Sequence, residues 1–439
     1  MIVIGGGFAG LSAATALAEA GVPVTLVEAR PSLGGRASTF RDPLTGDRID
    51  NGQHLIAGAY VETLAFLKRI GSSTKLHRPS TLQVTMIDEE RRRTDLRLPP
   101  LSSPVDLLSG VLAWDAITNV DRWSMLRIGA ALQGRRQIGA HETVRQWLER
   151  YGQSPRLCRL LWEPLALAAL NQSIDVAAAS AFVAVTSRLF GPQSNAATLI
   201  TPAVPLSDLY VEPATRFLEL TGAEIITHSK AQVVFENGEL SAVRVRGEAI
   251  PATCVICAVP WFALDETLPA PPTSLAAIVQ NASALGSAPI VNVNLWLDDY
   301  DAPAPFFGLP GRAFQWVFDC RQLISLRDAP VRHITLVSSG AEAICRQPND
   351  ELVAMALREL REATAAELTL RHASVVRERR ATFSLAPGGP PRPETTSPVR
   401  GLLLAGDWIA TGLPATIESA VVSGHRAAGA ALAMLAERV

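Results

Sequence analysis

Met1-Ile2-Val3-Ile4-Gly5-Gly6-Gly7-Phe8-Ala9-Gly10-Leu11 is the stretch that decides the fold. A short β-prone apolar run passes into a Gly-rich turn, and the segment from Leu11 to Ala20 has the composition of a helix. Gly21-Val22-Pro23 stops that helix, and Val24-Thr25-Leu26-Val27 supplies a second strand ending at Glu28, 18 positions after Gly10. This is a βαβ unit carrying G-x-G-x-x-G. Gly5 permits the tight turn, Gly7 lets the backbone approach a pyrophosphate, and Gly10 lets the helix pack close on its strand. The first helical turn, with Phe8 and Ala9, offers unpaired N–H groups to phosphates. Glu28, with Ala29 beside it, is placed to accept hydrogen bonds from a ribose. A Gly-rich surface turn is the plain alternative, and the strand, helix and acidic residue together argue against it.

Working outward, Arg30-Pro31-Ser32-Leu33-Gly34-Gly35-Arg36-Ala37 follows the carboxylate at once. A second Gly pair brings backbone close to the same ligand, and Arg36 supplies a cation for it, unless it is simply a solvated surface arginine. At the other end Gly401 to Ala405 reads as a buried strand. It runs into Gly406-Asp407 and then into a helix from Ala415 to Glu437 with Ala420, Gly424, Ala428 and Ala431 on one side. Both ends of the chain therefore build one domain. Between them, Ala57 to Gly71 reads as a helix, and Leu101 to Phe190 as a helical lobe containing Trp114, Trp123, Trp147 and Trp162, with breaks near Gly134 and Gly152-Pro155. A hairpin turns at Asn237-Gly238, and Cys254 to Val259 is a strand. The expected class is α/β: a Rossmann-like dinucleotide domain from 1–75, 206–265 and 386–439, with an inserted α+β substrate domain from 76–205 (helical) and 266–385.

Composition excludes several functions. Hydrophobic residues are 48% of the 439 and charged residues 19%, which rules out disorder and coiled coil. A net charge of -2 gives no field for a phosphate polymer, so no nucleic-acid partner is expected. Five scattered cysteines fit a reduced, cytoplasmic compartment. Cys254 and Cys257 form C-x-x-C, but on a strand they point to opposite faces. No two of the seven histidines have metal-ligand spacing, so no metal is expected. The motif begins at Met1, so no secretory leader is expected. The uncharged stretch Thr267 to Leu297 is broken by four prolines and is not a membrane span. From Leu160 to Tyr210 only Glu163, Asp175, Arg188 and Asp208 are charged. Two readings stay open there: buried helices of a large core, or a segment dipping into the inner face of the cytoplasmic membrane.

The pairing of the dinucleotide unit with Gly34-Gly35-Arg36 and a C-terminal Gly406-Asp407 resembles the flavin amine oxidase and phytoene desaturase superfamily. Pro414-Ala415-Thr416-Ile417-Glu418-Ser419-Ala420 fits the same pattern, although Ser419 stands where many members carry Gly. Asp50-Asn51-Gly52-Gln53-His54, Ala168-Ala169-Leu170-Asn171, Ser180-Ala181-Phe182 and Pro202 to Leu209 are similar to the hydroxysqualene dehydroxylase family. The resemblance implies an amine oxidase-like two-domain flavoprotein with FAD as cofactor. Its reaction would replace the hydroxyl of hydroxysqualene, a long-chain isoprenoid, by hydrogen in squalene and hopanoid biosynthesis, with electrons from a donor the sequence does not name.

It further implies that Gly5, Gly7, Phe8, Ala9, Gly10, Glu28, Ala29, Arg30, Gly35, Arg36 and Ala37 hold FAD. Gln53, His54, Val233, Gly406, Asp407, Thr416 and Ile417 complete the set. A helix starting near Ala415 would direct its positive end at the flavin. Asp407 also reads as an ordinary turn residue, and Val233 as core packing. His54 and Asp50 are the candidate proton donors; contacts behind the flavin, or a satisfied core histidine, are the bland readings. Two other functions stay in view. A phytoene desaturase-like dehydrogenase would run the flavin in the oxidising direction, and a non-catalytic prenyl-lipid-binding protein would keep the groove without the flavin.

Overall fold

The computed structural model describes residues 1–99, 105–133, 138–191, 195–324 and 331–437. The expected start of the helical lobe at Leu101 and its break at Gly134 lie outside the described residues. Ile2–Ile4, Thr25–Val27, Glu224–Ile226, Val255–Cys257 and Leu402–Leu404 form one parallel five-stranded sheet, with Ile2–Ile4 in the middle. Its strands come from the start, centre and end of the chain. They are short and apolar on both faces because the sheet is covered on both sides. One face carries the first helix, Phe8–Glu19, and the last, Ile417–Ala436. The other carries the three-stranded antiparallel sheet of Ala231–Glu236, Glu239–Val245 and Glu248–Pro251. Cys254 belongs to the first core and Cys257 to the second, so the C-x-x-C pair does straddle the sheet.

Local chemistry explains the ends of these elements. Val22 N–H donates to Leu17 C=O (3.1 Å) and Gly21 N–H to Ala18 C=O (3.0 Å), with Gly21 at φ 76, so the first helix closes in a Schellman motif. Asn237 and Gly238 have φ of 52 and 83, the primed turn that matches strand twist. Gly424 lies where the last helix crosses the first. A Cβ there would sit 2.2 Å from the Ala9 carbonyl oxygen and from Ser12 Oγ.

A seven-stranded sheet makes the second domain. Its order is Thr369–Phe383, Ser287–Asp298, Arg332–Ser339, Trp316–Asp319, Phe306–Gly308, Gln83–Ile87, Arg93–Arg97. Along Ser287–Asp298 the residues alternate. Val291, Val293, Leu295 and Leu297 pack against the helix Asn349–Thr364, while Asn292, Asn294 and Trp296 face the other way. The stretch that is too broken by proline to span a membrane is thus partly a central strand.

The helical lobe includes Val105–Ala113, Asn119–Gln133, Val144–Arg150, Glu163–Leu170 and Ala179–Leu189. Thr143 closes the third of these with a capping box to Gln146. Trp114, Trp147 and Trp162 are buried together, whereas Trp123, in the same lobe, is 71% exposed. The charge-poor stretch from Leu160 to Tyr210 is largely core, with Val176 its only exposed large hydrophobic among the described residues. Of the two readings open for this stretch, the burial of its apolar residues favours helices of a large core. Ala57 closes a two-residue strand rather than opening a helix, which begins at Val61.

Candidate active site

A cavity of about 500 Å³ lies between the two domains. Except for Gly10 and Val233, every residue expected to hold the cofactor lines it. Gly10 instead sits behind the turn, where a Cβ would be 1.8 Å from the Gly5 carbonyl oxygen. Val233 is 2% exposed and belongs to the core beneath, so the hairpin reaches the cavity through Lys230, Ala231 and Gln232. Strand alternation turns the Val233 side chain inward.

The dinucleotide end is built from backbone. Leu11 N–H to Gly7 C=O (2.9 Å) is the first bond of the first helix, which leaves its first-turn N–H groups without helical acceptors. Gly35, at φ 60, abuts Gly7 so closely that a Cβ on it would lie 3.2 Å from the Gly7 Cα. Glu28 organises both loops: its two carboxylate oxygens accept Gly6 N–H (2.6 Å) and Arg30 N–H (2.8 Å). Each oxygen keeps a lone pair for a ribose hydroxyl. Because both oxygens are acceptors toward N–H groups, Glu28→Gln turns an amide NH₂ against one of them. Flavin affinity is expected to fall roughly 10- to 100-fold, read by fluorescence titration of the apoprotein; an unchanged affinity would remove Glu28 from the site.

Arg36 is held on three sides: Nη2 donates to Asp407 Oδ1 (2.5 Å), Nη1 to the Ala381 carbonyl (2.8 Å), and its guanidinium lies 5.1 Å from the Trp261 ring centre. Asp407 therefore fixes Arg36. Ser419 Oγ donates to the Asp407 carbonyl (2.9 Å), so the serine that departs from the family pattern ties the last helix to this turn. Thr416 caps that helix by accepting Ser419 N–H, and Thr416 and Ile417 face the cavity. A two-glycine cradle, a ribose acceptor, a half-buried cation and a long helix's N-terminus fit FAD.

The other end is apolar, walled by Leu167, Ile290, Trp316, Phe318 and Val337. None of the three lysines lies at this apolar end: Lys68 is exposed, Lys75 donates to the Asp208 carbonyl, and Lys230, at the dinucleotide end of the cavity, pairs with Glu266. Between the two ends lies Asn51-Gly52-Gln53-His54. Asn51 clamps the Gly-Gly-Arg loop, donating to the Arg36 carbonyl and accepting Ser38 N–H. His54 Nε2 is buried without a partner, and desolvation pushes the imidazole pKa down to about 4. It is neutral at pH 7.

Asp50 does not reach the cavity. Its Oδ1 accepts Thr39 O–H (2.5 Å) and Leu206 N–H (3.0 Å), tying the Thr39–Arg41/Arg48–Asp50 hairpin to the turn before Tyr210. Burial pushes it up to about 6. Its candidacy as proton donor is corrected, since strand alternation turns it to the face opposite Asn51. Asn292, Trp316, Phe318 and Val337 escaped the sequence reading. Their only signal is a polar residue in alternation with valines, which also fits a solvent-facing strand.

A family model, flavin-containing amine oxidoreductase, matches residues 8–432. A hydroxysqualene dehydroxylase from Sinorhizobium fredii is 31% identical over 98% of this chain and 97% of its own. One from Rhodopseudomonas palustris is 30% identical over 98% of both. A 15-cis-phytoene desaturase from an Oncidium hybrid is 23% identical over 98% of this chain and 77% of its own. Among solved structures, an oxidoreductase from Methanosarcina mazei superposes with a TM-score of 0.77 at 16% identity, covering 97% of this chain and 98% of its own, a likeness of fold. With the flavin cradle in place and the match running almost end to end, the chain belongs to the flavin-containing amine oxidoreductase family and is an FAD-dependent oxidoreductase.

Proposed function

We propose that this enzyme removes the hydroxyl of hydroxysqualene reductively, giving squalene. The observation that carries the reading is a flavin cradle sharing one cavity with an apolar wall, in a chain 31% identical to a hydroxysqualene dehydroxylase. FAD, when bound, supplies the two electrons of the reduction. In the balance a C–O bond breaks, a C–H bond forms with the hydride of the reduced flavin, and the oxygen leaves as water after taking a proton that comes from solvent. Ile290, Trp316, Phe318 and Val337 exclude bulk water and hold hydrocarbon. With its pKa pushed down to about 4, His54 is the neutral imidazole at pH 7 and has a single N–H to offer. It therefore serves as a neutral hydrogen-bond donor to the leaving oxygen rather than as a stored acid.

An anaerobic single turnover tests the reading. Photoreduced holoenzyme given hydroxysqualene in detergent is expected to form squalene in the amount of flavin reoxidised. Persisting reduced flavin with no squalene would sink it. Bleaching of the oxidised enzyme by polyene precursors would point to desaturation instead.

We also propose that substrate enters from a lipid surface at the helical lobe. No described helix is long and apolar enough to cross a membrane. Six of the exposed large hydrophobics nevertheless fall on two successive helices: Val105, Leu108 and Leu112, then Val120, Trp123 and Leu126. Arg127, exposed one turn after Trp123, supplies a cation for an anionic interface. Gly110, on the first of these helices, lies against Leu98, with 2.4 Å from its Cβ position to Leu98 Cδ2. Leu98 continues the apolar cluster of Met86, Trp316, Phe318 and Val337, the last three of which line the cavity. L112E/W123E is expected to abolish co-sedimentation with anionic phospholipid vesicles while leaving the melting temperature within a few degrees. Undiminished binding would place the surface elsewhere.

A further inference from the structure

We propose that Asn292 and His54 form the polar subsite that receives the hydroxyl of a hydrocarbon alcohol. The inference rests on the dehydroxylase reading and adds to it the residue that distinguishes alcohol from hydrocarbon. Asn292 is 1% exposed and lines the cavity. Its Nδ2 donates to the Asn51 carbonyl (2.9 Å), which fixes the amide orientation, and its Oδ1 has no partner. A buried carbonyl left without a donor is costly, so one retained in an apolar wall points to a group supplied from outside.

His54 Nε2 is unpartnered in the same region. The two side chains converge over Gly52: a Cβ there would lie 3.6 Å from Asn292 Nδ2 and 3.9 Å from His54 Nε2. The absence of a side chain at position 52 keeps that space open. A hydroxyl is both donor and acceptor, and the pair offers its complement. The substrate O–H donates to Asn292 Oδ1, and its oxygen accepts from His54 Nε2–H in the corresponding tautomer.

The surroundings set the register of the chain behind the hydroxyl. Asn292 is paired with Val337, and Val337 with Trp316, so the three form a row across adjacent strands on one face. Trp316, whose Nε1 is a third unpartnered atom, stands two strands from Asn292, with the two backbones about 10 Å apart at ordinary strand spacing. Ile290 lies two residues along the strand from Asn292 on the same face. A hydroxyl anchored at Asn292 thus has its hydrocarbon laid along the apolar wall, and an alkane of equal length has nothing to meet the two polar atoms.

Binding to the oxidised holoenzyme, which cannot reduce the alcohol, isolates the subsite. Hydroxysqualene and squalene are titrated in detergent and followed by perturbation of the flavin spectrum. Wild type is expected to prefer the alcohol by about tenfold or more. Asn292→Leu is expected to bring the alcohol down to the affinity of squalene, with squalene unchanged. Gly52→Ala, which leaves both polar side chains in place and puts a methyl between them, is expected to do the same. Preference retained in both variants overturns the subsite. Flavin lost from Asn292→Leu, with preference intact in Gly52→Ala, assigns the pair to the cofactor and also overturns it. Failure of wild type to bind either compound, together with no squalene in the single turnover, overturns the dehydroxylase reading itself.

Discussion

Gly10→Ala should yield a colourless protein that unfolds at lower denaturant concentration than wild type. The added Cβ would lie 1.8 Å from the Gly5 carbonyl oxygen and 3.0 Å from its carbon. Both are backbone atoms, so no rotamer change relieves the contact. Gly5 has no room to retreat: at φ 105, its own Cβ direction points 2.7 Å from the Ala258 carbonyl oxygen. The turn is wedged between the first helix and the strand Val255–Cys257, and any shift carries Gly7 out of its position against Gly35. Overpacking of this kind costs about 3 kcal/mol or more, which corresponds to about two orders of magnitude in an affinity for FAD that depends on the same turn. Flavin content after gel filtration and urea unfolding check the two parts separately. Gly429→Ala is the control: it is exposed on the last helix, nothing lies within 4 Å, and it should keep its colour and gain up to about 1 kcal/mol. A yellow Gly10→Ala protein of wild-type stability would show that the turn is not held as tightly as its geometry requires.

His54→Ala is expected to keep its flavin and lose turnover by about 10² to 10³, the usual loss when a buried donor to a developing charge is removed. The pH dependence distinguishes its role. A histidine storing the proton would give rates that rise as pH falls through its ordinary value of 6.5. Burial lowers His54 to about 4, so wild-type turnover should show no gain from this group between pH 8 and 5. Its stability contribution has the opposite sign from that of a partnered histidine. The neutral form is favoured in the fold, so stability is complete above 6.5 and is lost as pH falls toward about 4. Asp50, raised to about 6, opposes this between 3.8 and 6, because it gains stability on protonation. Comparing wild type with His54→Ala at each pH removes the Asp50 contribution, and the difference in unfolding free energy should shift by up to about 1.4 kcal/mol per pH unit below 6.5. A difference that stays flat from pH 7 to 4 would mean that His54 is solvated.

The dinucleotide half was legible in local pattern because its physics is local. A three-residue apolar strand, glycines at fixed spacing and a stop at Gly21 each act within one βαβ unit, and the structure reproduces them with small changes of boundary. Gly406-Asp407 and the helix after it were legible for the same reason, as was the turn at Asn237-Gly238. The substrate half was much less so. Thr369–Phe383 and Ser287–Asp298 owe their partners to residues far away in sequence, and alternation cannot say which face meets a cavity. Asp50 and His54 looked equivalent, four positions apart; the hairpin turns one toward Leu206 and the other into the cavity. Trp123 shares the helical lobe with the other tryptophans yet is exposed, because helical spacing identifies a stripe without saying what, if anything, covers it.

By itself, then, the sequence determined that this chain has a flavin-binding α/β domain assembled from both its ends, since glycine spacing and strand punctuation are dictated by backbone sterics within a few residues. Tertiary structure alone decided which polar groups are left without partners. The demand that a buried carbonyl or imidazole nitrogen finds a donor or acceptor is settled by every element packed around it. Asn292 Oδ1 and His54 Nε2 stand out only when the strands beside them have been placed and neither has met one.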